Sequence, residues 1–301
     1  MLEKVETELP NPKTSNFDNM SIVEILRIIN QEDATVPLTI AENLEKIAVV
    51  IEMCVKAIKN GGRIIYGGAG TSGRIAIIDA VETVPTFGVP EGLFLPIMAG
   101  GEEAFLRSLE AIEDSEKQGE IDLKKHDVYS KDLVIGLTAS GRTPYVKGML
   151  LEAKRIGCHT VLISNVANPA LENIADISVT IRTGPEIIAG STRMKAGTAQ
   201  KMVLNMISTV TMIKLGKTYK NYMIDVKILN EKLKARAARM ISEITGIDRD
   251  ESLKYLKLAD NSPKLAALMI LSNKSKEECM NALSKRETLS EALELLRSDK
   301  K

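Results

Sequence analysis

Two short turns that combine glycine with hydroxyl side chains are the residues best suited to hold a ligand. The first, GGAGTSG, contains Gly70, Thr71 and Ser72 and stands between an apolar run and a helix-like stretch. Hydroxyls and free backbone N–H groups at a helix N-terminus suit a phosphate group. For this turn taken alone, a tight strand-to-helix connection with an ordinary Ser or Thr cap is an equal alternative.

The first turn fits the common nucleotide-binding patterns poorly. A Walker A loop needs Lys and then Ser or Thr after its last glycine, but Arg74 and Ile75 follow Gly73 here. Residues 68–73 match the dinucleotide pattern GxGxxG, which is weak on its own, and the acidic residue expected after the next strand is not evident in GLFLPIMAGG. The turn therefore favours a single phosphate group over a dinucleotide.

A second turn of the same kind follows another apolar run. The stretch LTASGRTPYV supplies Ser140, Gly141 and Thr143, and Pro144 opens the next helix-like stretch, a position that proline favours. In a parallel sheet both turns would lie at the carboxyl edge, where ligands bind in open α/β folds. The two turns together favour phosphate binding over helix capping.

A third motif, GPEIIAGSTRMKAGTAQK, carries Glu186 and Ser191 ahead of a further helix-like stretch. These side chains could contact a bound sugar or a substrate carboxylate. Capping of the helix by Ser191, beside exposed basic residues, is the alternative.

Short apolar segments alternate with helix-like stretches through the middle of the chain. The apolar segments are GGRIIYGGAG, GLFLPIMAGG, DLVIGLTASG, HTVLISNV and ADISVTIRTGP, and SGRIAIIDAVE, EEAFLRSLEAIEDSEKQG and TPYVKGMLLEAKRIG are helix-like. This alternation predicts βαβ units and a parallel sheet covered on both faces. The expected fold class is α/β, a three-layer αβα sandwich around a central parallel sheet of five strands.

Outside the predicted sheet, the spacing of apolar residues is helical and predicts helices on both sides of the sheet domain. An arm and helices that break near Val36-Pro37 are expected over residues 1–55, the sheet domain over 56–220 and a small helical bundle over 221–301. Residues from Ser191 to about Leu215, and on through Lys234, are expected to be helical.

Composition excludes several classes of protein. Lys and Arg number 40, as do Asp and Glu, and aromatic residues make up only 3%, which argues against a basic or base-stacking nucleic-acid binder. Three scattered cysteines and two histidines predict neither disulfides nor a metal site. A secretory signal and a long apolar run are both missing, so a cytoplasmic protein without a membrane partner is expected.

These motifs resemble one enzyme family. GAGTSGR with DAVETVPTFG, ASGRTPYV and GPEIIAGSTRMKAGTAQKMVLNMIST are similar to the motifs of the N-acetylmuramic acid 6-phosphate etherases, in the sugar isomerase (SIS) fold group. The similarity runs from about Thr7 to the C-terminal helices. The glucokinase regulatory protein shares some of these motifs but has two tandem SIS modules, so a chain of 301 residues fits the etherases better.

The resemblance implies a reaction and its residues. These enzymes cleave the lactyl ether of N-acetylmuramic acid 6-phosphate in cell-wall recycling, giving N-acetylglucosamine 6-phosphate and D-lactate. The resemblance also implies a SIS phosphosugar-binding domain at 56–220, a homodimer with shared active sites, and neither a metal nor an organic cofactor. By motif, the catalytic glutamates fall on Glu82 and Glu113, with Glu110 and Glu116 competing for the second place.

Without the resemblance, Glu82 fits a solvated helix position and Glu113 an ordinary charged surface. Two other functions also stay open on the sequence. An aldose–ketose isomerase would use the same base at C2 but commonly needs a ring-opening group, often histidine, which is scarce here. A non-catalytic phosphosugar-binding regulator would need the turns and not the glutamates.

Overall fold

Five parallel strands form one sheet in the computed structural model, which describes residues 5–109, 111–226, 228 and 230–298. The strands are β1 (Ile64–Gly68), β2 (Phe94–Met98), β3 (Leu133–Thr138), β4 (His159–Ser164) and β5 (Ile177–Thr180). Their order is β2-β1-β3-β4-β5. Strands β1 and β3 are buried along their whole length, as expected of apolar runs in a sheet covered on both faces. The predicted α/β fold with its five-stranded sheet is confirmed.

Helices occupy the connections from β1 to β2, from β2 to β3 and from β3 to β4, and they also occupy both ends of the described chain. Up to the end of the sheet region they are α1 (Ile22–Asp33), α2 (Val36–Ala41), α3 (Leu44–Lys59), α4 (Gly70–Phe87), α5 (Gly101–Leu106), α6 (Glu116–Lys125), α7 (Pro144–Ile156) and α8 (Lys195–Lys214). Those after it are α9 (Glu231–Thr245), α10 (Arg249–Leu258), α11 (Pro263–Ser272), α12 (Lys276–Lys285) and α13 (Leu289–Ser298). Over the described residues, no helix combines the length and apolar character needed to span a membrane.

The chain divides into two compact units. The first comprises residues up to Val81 together with Glu91–Ser208, and the second comprises Glu82–Pro90 together with the residues from Thr209 onward. The first unit contains the sheet, and the second contains α9 to α13. The domain boundaries expected from the sequence, after residues 55 and 220, stay a prediction.

The second unit has an apolar core of its own. Buried side chains from α9 to α13 form it, among them Ile241, Leu256, Leu268, Cys279 and Leu293. Side-chain caps begin all five of these helices, at Asn230, Asp248, Ser262, Ser275 and Thr288, each satisfying a backbone N–H that the helix itself cannot. The predicted helical bundle is present, with α13 as a helix that the sequence patterns did not indicate.

Two helix-like stretches are interrupted. The stretch EEAFLRSLEAIEDSEKQG is divided into α5, a short 3-10 helix at Ile112–Asp114 and α6, because Ser115 accepts a hydrogen bond from the N–H of Gln118 and starts a new helix. The expectation of helix through Lys234 is wrong. Gly216, with φ of +69°, lies just beyond the end of α8, a left-handed conformation that commonly terminates helices.

The N-terminal arm is hydrogen-bonded to the loop before α8. The N–H of Gly190 donates to the carbonyl oxygen of Thr7 at 3.0 Å, and the Thr14 hydroxyl donates to the carbonyl oxygen of Ile187 at 2.9 Å. These two bonds connect the N-terminal arm to Ile187 and Gly190, which belong to the third sequence motif.

A buried carboxylate joins the arm, α1 and α8. Glu32, in the last turn of α1, receives hydrogen bonds from Lys195 and Lys13, both at 2.7 Å, and from the Asn11 amide at 3.0 Å. The side chain of Lys195 is only 3% exposed, whereas that of Lys13 is 63% exposed. The ammonium group of Lys195 is therefore removed from water and is paired with Glu32, whereas that of Lys13 stays in contact with water.

We expect Lys195→Met to destabilise the protein much more than Lys13→Met, although both lysines contact the same carboxylate. Breaking the buried pair should cost about 3–5 kcal/mol of unfolding free energy, and breaking the exposed pair about 1 kcal/mol or less. Urea unfolding followed by far-UV circular dichroism measures both. Equal losses in the two variants would show that burial of Lys195 is immaterial.

The contacts of Glu32 also predict how the free energy of unfolding depends on pH. Burial alone would raise the pKa of Glu32, but hydrogen bonds from Lys13 and Lys195, the Lys195 charge and the Asn11 amide outweigh it and lower the pKa from 4.5 to about 2. A lowered folded-state pKa gives stability that is present above the unfolded value and lost as the pH falls through the folded one. The advantage of wild type over Glu32→Gln should thus shrink from pH 4.5 toward 2.

The measurement compares unfolding free energies of wild type, Glu32→Gln and Glu45→Gln across this pH range. Glu45 is an exposed glutamate of α3 and serves as the control, whose difference from wild type should change little. A constant difference between wild type and Glu32→Gln would contradict the assignment.

Candidate functional site

The turn after β1 leaves open space in front of the N-terminus of α4. Only Ala69 separates β1 from α4, and a Cβ on Gly68 would lie 2.9 Å from the backbone nitrogen of Gly73, so the turn is too tight for a side chain there. Gly70 has φ of +54°, and a Cβ built on it would meet nothing within 4 Å. A ligand can therefore approach the first N–H groups of α4 closely.

The turn after β3 gathers three hydroxyls. The Thr138 Oγ1 lies 2.8 Å from the Thr143 Oγ1 and 3.4 Å from the Ser140 Oγ. Gly141 has φ of +69°, and a Cβ on it would lie 2.4 Å from the Cβ of Pro169. Thr143 is the N-cap residue of α7, yet its side chain makes no capping hydrogen bond. The Thr143 side chain therefore does not cap α7.

Strand order brings the two turns together. Strands β1 and β3 are hydrogen-bonded neighbours, with Gly68 in register with Leu137, so both turns leave the same edge side by side. With β2 on the other side of β1, the order reverses direction between β1 and β3. Ligands of doubly wound folds bind at such a reversal.

The start of α8 packs against the first turn. A Cβ on Gly197 would lie 3.3 Å from the Cγ2 of Thr71, so glycine allows this approach. The predicted phosphate turn and the third motif are thus adjacent within the first unit. Ser191 lies in the loop just before α8 and is partly exposed.

Glu186 is fully buried and holds the first turn of α8. Its two carboxylate oxygens accept the backbone N–H groups of Lys195 and Ala196, each at 2.9 Å. Burial raises the pKa of Glu186, while these N–H donors and the Lys195 charge offset part of the rise. In this structure the carboxylate contacts backbone, and the direct sugar contact suggested by the sequence stays a prediction.

The two candidate catalytic glutamates are exposed. Glu82 lies on α4 among residues of the second unit, and Glu113 lies in the 3-10 helix Ile112–Asp114 of the first unit. Of the competitors for the second place, Glu116 pairs with Lys147 at 2.7 Å, and Glu110 lies outside the described residues. The catalytic roles of Glu82 and Glu113 stay predictions.

Arg74 has a structural function that the sequence patterns did not reveal. Its guanidinium donates to the carbonyl oxygens at the end of α5 and just beyond, those of Ala104, Phe105 and Arg107, at 2.6 to 3.0 Å. These bonds satisfy carbonyls that the helix end leaves without partners. The only signal in the sequence was an arginine where a nucleotide loop would have lysine.

The sequence patterns also did not indicate a structural role for Asp79. It lies one turn before Glu82 on α4, is 4% exposed, and accepts hydrogen bonds from the Asn205 amide at 2.6 Å, the Ser208 hydroxyl at 3.0 Å and the Tyr66 hydroxyl at 3.2 Å. Burial raises the pKa of Asp79, and these hydrogen bonds lower it in part. The network ties α4 to β1 and α8.

A cavity of about 900 Å³ lies beside the edge strand β2. Pro96, Phe105, Ile112 and His126 are among its lining residues, and none of the predicted phosphate-binding residues line it. The size of this cavity alone does not make it the functional site, because the two hydroxyl-rich turns after β1 and β3 lie at the carboxyl edge of the sheet and do not line it.

Comparisons with known proteins agree with this arrangement. The family model of the glucokinase regulatory protein N-terminal SIS domain matches residues 46–154, and that of the SIS domain matches residues 109–210. A phosphoheptose isomerase from Francisella tularensis superposes with a TM-score of 0.51 at 16% identity, covering 64% of this chain and all of its own. That likeness concerns the fold alone.

Sequence relatives extend over nearly the whole chain. The N-acetylmuramic acid 6-phosphate etherase of Petrotoga mobilis is 66% identical over 298 residues, covering 99% of this chain and 100% of its own. That of Pseudothermotoga lettingae is 51% identical over 294 residues, covering 98% of each chain. Identity at this level over the full length leaves one assignment: the chain belongs to the N-acetylmuramic acid 6-phosphate etherase family.

Proposed function

We propose that this protein cleaves the D-lactyl ether of N-acetylmuramic acid 6-phosphate by β-elimination and water addition, giving N-acetylglucosamine 6-phosphate and D-lactate. The observation that carries the proposal is the pair of hydroxyl-rich turns, side by side at the reversal of strand order, in a chain 66% identical to a named etherase. The reaction serves the recycling of cell-wall amino sugar.

The two turns would hold the 6-phosphate. Gly70 leaves open space at the start of α4, and Thr71 and the largely buried Ser72 would provide hydroxyl donors there. At the start of α7, donors would come from Ser140, Gly141 and Thr143. Thr143 is the N-cap residue, and its side chain makes no hydrogen bond to the first N–H groups of the helix. Helix N-termini attract anions through these N–H groups and the helix dipole.

Glu82 and Glu113 would supply the acid and base. Opening of the sugar ring exposes a C1 aldehyde, which makes the C2 proton acidic. A carboxylate removes that proton, the electron pair forms the C2–C3 double bond, and the C3–O bond breaks. The ether oxygen takes a proton and leaves as the hydroxyl of D-lactate. Water then adds at C3, and C2 regains a proton. Glu82 is assigned the proton transfers at C2 and the leaving group, and Glu113 a second acid–base step.

We further propose a homodimer with active sites near its interface. Glu82 is exposed, and so are Ile78 and Val81 on the same helix, at 54% and 57%. Apolar side chains around a catalytic carboxylate suit contact with a second copy of the chain better than contact with water. Action in the cytoplasm is part of the proposal, since a phosphorylated sugar does not cross a membrane unaided.

Incubation with N-acetylmuramic acid 6-phosphate should release D-lactate, and in H₂¹⁸O the label should appear at C3 of the sugar product. The label follows from elimination and hydration, because the new C3 hydroxyl comes from water. Enzymatic lactate measurement and the ¹⁸O isotope shift of the C3 signal in ¹³C NMR report the two results. Label in lactate would contradict the mechanism, and an isomerised sugar without lactate would support an aldose–ketose isomerase instead.

Glu82→Gln should lower kcat for lactate release by about 10²–10⁴-fold, the usual contribution of a positioned acid–base group. Glu113→Gln should also lower it, and Glu116→Gln should not. Glu91→Gln, an exposed glutamate outside the helix, serves as the matched control for Glu82, with circular dichroism to verify folding. Full activity of Glu82→Gln would remove Glu82 from the mechanism.

A further inference from the structure

The hydroxyl side chains of the two turns carry no charge to balance that of a phosphate group. A phosphate monoester has a charge of about −1.5 to −2 at pH 7, whereas Thr71, Ser72, Ser140 and Thr143 are neutral. An arginine can balance such a charge and match the phosphate oxygens with two parallel hydrogen bonds. A guanidinium close to the turns would therefore complete a phosphate site.

The arginines that follow the glycines of the two turns already have partners. Arg74 donates to three carbonyl oxygens at the end of α5 and just beyond it. Arg142, in the turn after β3, also takes part in an interaction within the chain. A phosphate group would have to compete with these partners for either guanidinium.

Arg193, in the third sequence motif, has no such partner. Its side chain is exposed and forms neither a hydrogen bond nor an ion pair with any residue in the described part of the chain. It lies two residues before the start of α8. All the N–H donors of its guanidinium are therefore available to a ligand.

The start of α8 brings Arg193 close to the turn after β1. A Cβ on Gly197 would lie 3.3 Å from the Cγ2 of Thr71 and 3.5 Å from the carbonyl oxygen of Thr192, so the last two atoms are at most about 7 Å apart. The Cα of Arg193 lies about 3 Å beyond that oxygen, and an extended arginine side chain spans about 7 Å. All these residues belong to the first unit. The guanidinium can thus reach a phosphate group held beside Thr71.

Two sets of contacts anchor the backbone on either side of Arg193. The carboxylate of Glu186 accepts the N–H groups of Lys195 and Ala196, each at 2.9 Å. On the other side, the N–H of Gly190 donates to the N-terminal arm at 3.0 Å. An anchored backbone that carries an unpaired guanidinium suits ligand binding, because little main-chain freedom is lost when the ligand binds.

We propose that Arg193 binds the 6-phosphate of the substrate and supplies the positive side-chain charge that the hydroxyls of the turns lack. The inference rests on the proposed function, which assigns those turns to the phosphate group. The turns would contact some of the phosphate oxygens, and the Arg193 guanidinium would contact those on the side of α8. Arg193 is a binding residue in this scheme and takes no part in the proton transfers.

Isothermal titration calorimetry with N-acetylglucosamine 6-phosphate, the proposed sugar product, measures this contribution without turnover. We expect Arg193→Gln to raise its Kd by about 10- to 100-fold, from the loss of a charge-assisted pair of hydrogen bonds. The Kd of inorganic phosphate, used as a competitor, should rise by a similar factor. KM for lactate release should rise with them while kcat stays close to wild type, because a contact made equally before and in the transition state changes KM alone.

Ionic strength gives a second measurement, which a purely structural role of Arg193 would leave unchanged. Salt screens the attraction between an exposed cation and a phosphate dianion. The Kd of the sugar phosphate should therefore rise with salt in the wild type, and less steeply in Arg193→Gln.

Two further variants complete the comparison. Arg193→Lys keeps the charge but not the paired donors, so its Kd should fall between those of wild type and Arg193→Gln. Arg27→Gln is the matched control, because Arg27 is an exposed arginine of α1 that also has no side-chain partner among the described residues. It should match wild type in every assay.

Each outcome decides the inference. A raised Kd for both phosphate compounds, with a shallower salt dependence, supports it, whereas unchanged affinity for both overturns it. Weaker inhibition by D-lactate with unchanged phosphate affinity also overturns it, because Arg193 would then hold the lactyl carboxylate. Loss of the fold in Arg193→Gln, seen by circular dichroism, would overturn it too, since an exposed binding residue does not hold the fold. A wild type that binds the sugar phosphate but releases no lactate would instead contradict the proposed function alone.

Discussion

A phosphate group can be held by neutral donors only when several of them converge on one place, and for the proposed phosphate site the order of the strands would provide that convergence. Because β1 and β3 are neighbours, the helices that follow them start side by side. The positive φ angles of Gly70 and Gly141 bring the chain from strand to helix within a few residues. Two further sets of contacts surround the turns. Gly197, at the start of α8, packs against Thr71, and the N-terminal arm is hydrogen-bonded to Ile187 and Gly190.

Local patterns sufficed to predict the sheet and its two turns, and they failed where distant residues decide the structure. Apolar runs that end in glycine identify strands and turns because both depend on neighbours in sequence. The division between α5 and α6 depends in part on Arg74, some thirty residues away, which no local pattern reports. The buried contacts of Asp79 with Asn205 and Ser208 likewise arise only when α4 and α8 meet.

Glu186 has a structural contact that the spacing of its motif did not indicate. The sequence singled out Glu186 beside Ser191 as a residue near substrate. In the structure its oxygens accept two backbone N–H groups, and Lys195, at the same turn, extends to Glu32. Spacing in the sequence does not distinguish residues that contact a substrate from residues that hold the backbone around it.

Removal of a proton from carbon is favoured when the carboxylate that takes it is shielded from water, because a desolvated carboxylate binds a proton more strongly. Along α4, however, Glu82 is exposed together with Ile78 and Val81. If Glu82 is the base, something beyond the single chain has to cover this helix face during the reaction. The bound sugar can cover the carboxylate itself, but a second copy of the chain is the occupant that would also bury two apolar side chains. Exposure of Glu82 in a single chain is thus compatible with a catalytic role if a second copy of the chain covers this face of α4.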